Sequence, residues 1–191
     1  MPARPRSLTE PSAISANAME LTNWTVRLSL LCYAAVLCGN AAADGCRHWP
    51  DIARWLWTAG CLLLLAHIGC AFQFVHHWQH NLAVAETARR TAAVVGWEFG
   101  GGVYFNYAFA LIWLGDVVWW WAAKASYRQR PRLVNAIVHS YLFFIAFNGA
   151  IVFVAGPTRW IGIAFVLLWS GLAFRAMRNR DNCSPQHQEK T

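Results

Sequence analysis

Residues 55–75 read WLWTAGCLLLLAHIGCAFQFV, a run without Asp, Glu, Lys or Arg and with one histidine, His67. A helix needs about 20 consecutive apolar residues to cross the hydrocarbon of a bilayer, and this run has that length. In lipid, a helix is the only lone segment that satisfies its own backbone hydrogen bonds. The stretch therefore sets the fold class: all-α, a polytopic integral membrane protein. Working outward, four further blocks fit the same rule, and the expected spans are 25–43, 55–76, 102–123, 133–155 and 159–177. Arg27 and Asn40 weaken the first. Residues 19–43 also read as a cleaved signal peptide, with NAAADG as a small-residue cleavage site. Four spans then remain. Residues 1–23 are polar, carry Pro2, Pro5 and Pro11, and read as a disordered lead, with Met19 as an alternative start. Residues 24–178 form the expected transmembrane domain, and 179–191 a polar tail.

Composition agrees with a lipid solvent. The chain is 57% hydrophobic and 13% charged, against about 25% charged in a typical soluble domain. Of its 12 Trp, nine collect at block ends, Trp49, Trp55, Trp57, Trp78, Trp97, Trp119, Trp120, Trp121 and Trp160, as an interfacial aromatic belt requires. The net charge of +7 does not mark a nucleic-acid binder, because the basic residues flank apolar blocks instead of forming a basic domain. There they meet anionic headgroups and set orientation. Five spans put ten of the 16 Lys and Arg on the side of the 124–132 loop and the C-terminus. That side is expected to be cytoplasmic, with the N-terminus outside and the membrane a bacterial inner one. The six cysteines contain no CxxC pair, which excludes a thiol-redox or zinc-knuckle motif. The expected partners are the bilayer itself and other membrane proteins or further copies of the chain.

At the end of the second span stands FVHHWQHNLAVAETARR, residues 74–90. Pro and Gly are absent from 70–95, so the second helix is expected to continue beyond the membrane and end near Gly96. On such a helix His76 and His80 are i, i+4 neighbours, and His77 and His80 are i, i+3. That spacing lets two imidazoles share a transition metal or a haem iron, with Glu86, Glu98 or a residue of the loop after the fourth span as further ligands. The order HHxxH fits neither HExxH nor HxxHH. The competing reading is interfacial: histidine and tryptophan have apolar bodies and polar tips. WEFGGGVYFNY, from Trp97, matches no phosphate-binding glycine fingerprint and reads as a flexible turn with close helix entry.

Ionisable groups inside a span are costly and point to function. Asp116 lies seven residues before Ala123, and His139 six after Leu133. At about 1.5 Å per residue both sit some 9–11 Å from the same boundary, so an Asp116–His139 pair is expected. It serves either as a proton relay or as glue between helices. His67, Asn106 and Asn148 are the other intramembrane polar groups. His67 and His139 differ in depth by about 9 Å, too much for two axial ligands of one haem.

The function expected is a small, non-catalytic membrane component or subunit. The alternatives are a metal- or haem-binding redox protein built on His76, His77 and His80, and a proton-coupled transporter or channel subunit built on Asp116 and His139.

Overall fold

The computed structural model describes residues 10–42, 48–154 and 156–182 of the chain. It is helical, with no strand among the described residues. The helices are α1 (Glu10–Ala42), α2 (Trp49–Phe74), α3 (His80–Val95), α4 (Gly102–Ala122), α5 (Lys124–Arg128), α6 (Arg132–Phe147) and α7 (Pro157–Asn182). Five helices are long and apolar enough to cross a membrane: Ala16–Ala42, Trp49–Phe74, Gly102–Ala122, Arg132–Val152 and Arg159–Ala176. The protein is thus a multi-pass membrane protein, with large apolar side chains such as Leu62, Leu111, Ile137 and Leu167 turned outward.

Two boundaries differ from expectation. The helix α1 begins at Glu10, inside the segment read as a disordered lead. Beyond Pro11, at the helix start where proline costs nothing, SAISANAMEL offers no Gly or Pro and several good helix formers. Residues 1–9 and 183–191 lie outside the described residues. The second helix does not continue beyond the membrane: α2 stops at Phe74, and α3 starts afresh at His80. The break is made by His77 and Trp78, both left-handed with φ of 48° and 58°. Such backbone is rare without glycine, so no turn signature announced it. The other end of α3 is as expected, closed by Gly96 at φ 86°. Gly100 and Gly102 are packed, not loose: a Cβ at Gly100 would meet the Val84 carbonyl oxygen at 2.9 Å, and one at Gly102 the Thr87 methyl at 2.9 Å.

The core is aromatic and lies where α1, α2 and α4 meet. Trp57 and Trp113 are 1% and 0% exposed, with ring centroids 4.9 Å apart. Tyr33 stacks on Trp57 at 5.4 Å and meets Trp113 edge-on at 5.5 Å. Gly60 makes room, because a Cβ there would stand 2.9 Å from the Trp113 ring. Ser29 of α1 donates to the Gly60 carbonyl at 2.7 Å, and the His67 ring Nδ1 lies 2.8 Å from the Thr22 carbonyl. Such polar contacts tie helices together where burying apolar surface gives no advantage over lipid. With Ser29, Tyr33 and Val36 buried, the first span is an integral part of the packed bundle.

The fourth span changes pitch, since Asn148–Val152 continues α6 as a π-helix. Arg159 collects carbonyls of this segment and of the residues just after it, its Nε donating to Ile151 and Val154 at 2.9 Å each. Arginine thus completes backbone groups that the irregular helix leaves open.

Candidate functional site

Asp116 and His139 reach one hydrogen-bonded network, but a third residue, Arg130, stands between them. Asp116 is 5% exposed. Its Oδ1 accepts from Arg130 Nη1 at 2.5 Å, and its Oδ2 accepts from Trp57 Nε1 and the Tyr127 hydroxyl, both at 2.9 Å. The same guanidinium turns Nη2 toward His139 Nε2 at 3.1 Å and also donates to Asn135 Oδ1. Its plane lies over the Tyr127 ring, 4.0 Å from the centroid. The expected direct Asp–His pair is therefore corrected to an Asp116–Arg130–His139 chain. An arginine can only donate, so His139 Nε2 accepts and the ring proton sits on Nδ1. That Nδ1 is buried without a partner among the described residues.

The chain folds this way because the α4–α6 connection turns back on itself. Ala123 departs from helical geometry, α5 makes a little over one turn, and Pro131 at φ −56° starts α6. Arg130, just ahead of that proline, is thereby carried down between the helices; its side chain is only 9% exposed. Tyr127 is held by Trp120, whose ring is parallel at 4.7 Å. Burial, and then the Asp116 carboxylate, drive the Tyr127 phenol well above its ordinary range. The hydroxyl is a fixed donor to Asp116. The sequence placed Arg130 in a connecting loop and Trp57 in the interfacial aromatic belt, whereas Trp57 is buried in the core; Tyr127 and Asn135 were not singled out. The available signal was that one intramembrane carboxylate without a cation in its own span must find one nearby.

Two cavities flank this network. One, of about 450 Å³, runs between α1, α6 and α7 and is lined by Val36, Leu37, Trp169 and Ala173, with Arg130 and His139 at its polar end. The other, of about 430 Å³, opens at the turn and is lined by Arg128, Arg130, Arg132, Trp120 and Tyr127. Trp120, Tyr127, Arg130 and Asn135 line both.

The histidine cluster is taken apart by the helix break. His76 sits edge-on to Phe72 at 5.6 Å, and partial burial lowers its pKa from the ordinary histidine value. His80 opens α3, with its ring nitrogens 3.1 Å and 3.3 Å from the Tyr107 and Tyr104 hydroxyls. His77 is one of the two left-handed residues. The i, i+4 convergence expected on a continuous helix does not form. Among the described residues no three His, Cys, Asp or Glu side chains are grouped to hold a metal ion. Glu86 is engaged by Arg90 at 2.7 Å and Arg89 at 2.6 Å, and these hydrogen bonds hold its carboxyl below its usual range. Of the remaining polar residues, Asn106 is exposed, and Asn148 donates to the Phe144 carbonyl at 2.7 Å where the π-helix begins. No family model, curated protein or solved structure matches this chain.

Proposed function

We propose that the chain is a non-catalytic component or subunit of a bacterial inner membrane, with its N-terminus outside and its C-terminus cytoplasmic. In this reading the Asp116–Arg130–His139 chain is a structural clasp. One observation supports it: both Asp116 oxygens are engaged, Oδ1 by Arg130 and Oδ2 by Trp57 and Tyr127. Those donors come from α2, α5 and the turn before α6, so the carboxylate ties three elements to α4. The ten cytoplasm-flanking basic residues support the orientation.

The test is proton flux into proteoliposomes loaded with a pH-sensitive dye, for the native chain and Asp116→Asn. The clasp reading expects no protein-dependent flux from either, and a lower thermal midpoint for the variant. Flux that Asp116→Asn abolishes in a folded protein would replace it with the proton-coupled reading. A Soret band or a stoichiometric metal in the purified protein would replace it with the redox reading.

A further inference from the structure

The cavity at the α4–α6 turn shares Arg130 and Tyr127 with the clasp, but its other two arginines, Arg128 and Arg132, take no part in it. Arg130 is neutralised by Asp116. Among the described residues, neither Arg128 nor Arg132 has a carboxylate within ion-pair distance. Both are exposed, and both line the cavity. No acidic side chain lines it or its apolar neighbour. The first turn of α6, 16 residues long, starts at Arg132 with no side-chain cap. Its leading N–H groups therefore add positive potential to the two guanidinium groups. Arginine binds phosphate through paired N–H donors.

The site also has a place and a second half. The turn joins two membrane-spanning helices, so the cavity lies at headgroup level, with Trp120 and Tyr127 as interfacial aromatics. Through the lining residues it shares with the apolar cavity, it leads to Val36, Leu37, Trp169 and Ala173. Cationic at one end and apolar at the other, the pair of cavities matches an anionic amphiphile.

We propose that this pair of cavities is a binding site for an anionic phospholipid, its phosphate held by Arg128 and Arg132 and an acyl chain lying in the cavity between α1, α6 and α7. The site goes beyond the clasp and does not depend on the chain being non-catalytic. The phosphate chemistry would equally accept inorganic phosphate, but the apolar half favours a lipid.

Native mass spectrometry of the detergent-solubilised full chain tests this. The protein is titrated with dioleoyl phosphatidylglycerol and with dioleoyl phosphatidylcholine, each with and without millimolar inorganic phosphate. The expected result is one tight phosphatidylglycerol adduct that phosphate does not displace. Arg128→Gln with Arg132→Gln should weaken it roughly 30-fold, the effect of two basic side chains at a charged surface. Both residues are exposed, so the variant keeps the fold. Ala173→Trp, which fills the apolar half and leaves both arginines intact, should weaken it as well. Equal affinity for the two lipids, or an adduct insensitive to the arginine substitutions, overturns the proposal. Displacement by inorganic phosphate, or an adduct indifferent to Ala173→Trp, assigns the site to a soluble anion and overturns the lipid.

Discussion

Replacing Arg130 by Gln is the most informative perturbation of the bundle. The substitution leaves the Asp116 carboxylate, 5% exposed, with its two neutral donors but no counter-charge. Removing one partner of a buried ion pair costs about 3–5 kcal/mol, because the remaining charge is stranded. For a chain of this size that corresponds to a fall of about 6–20 °C in Tm, at 2–4 °C per kcal/mol. Asp116→Asn strands the guanidinium instead and should cost a similar amount. The double variant Asp116→Asn/Arg130→Gln strands no charge, and its loss should be well below the sum of the two single losses. Thermal unfolding in detergent, followed by tryptophan fluorescence, reads all four proteins, since Trp57 bonds directly to Asp116. A strictly additive double variant, or an Arg130→Gln midpoint within about 2 °C of the native one, would refute the coupling.

Other outcomes follow from packing and charge. Gly60→Val should cost about 1–3 kcal/mol as overpacking, read as a lower Tm, because even a Cβ at Gly60 meets Trp113 and Cys32 at 2.9 Å and 3.1 Å. Glu86 has a depressed pKa owing to Arg90 and Arg89. Its contribution is present above the ordinary carboxylate value and is lost as pH falls through the lower folded value. Amide protection factors in α3, taken relative to intrinsic exchange at each pH, should therefore fall only in acid, by about three- to fivefold for two ion pairs worth 0.3–0.5 kcal/mol each. His76 is depressed by burial, so its neutral form fits the fold. Protection factors across residues 75–79 should be constant above about pH 6.5 and fall below it, and His76→Phe should remove that dependence. On the proposed orientation, an alkaline phosphatase fusion in the 96–101 turn should be active and one at Gln129 inactive.

The spans were legible because hydropathy acts over 20 residues and tolerates local exceptions such as Asn148. That Asp116 and His139 would reach one network was legible too, since helical rise is fixed. The guanidinium between them was not. Arg130 lies next to Pro131, and only the folded turn shows that it points back into the bundle. The α2–α3 break was hidden for a different reason: the left-handed residues are His77 and Trp78, neither of which marks a turn by composition. The metal reading rested on helical continuity through that break and lost its geometry with it.

The clasp also imposes an order on assembly. Asp116 enters the bilayer 14 residues ahead of the arginine that neutralises it. A lone carboxylate at that depth is costly, so α4 has no comfortable resting state as a separate inserted helix. It settles only once the turn carrying Arg130 has followed and α6 has begun. The hairpin of α4 and α6 is thus a single unit of insertion. A ribosome stalled between Asp116 and Arg130 would leave α4 poorly anchored, whereas one stalled beyond His139 would leave a hairpin that stays in the membrane.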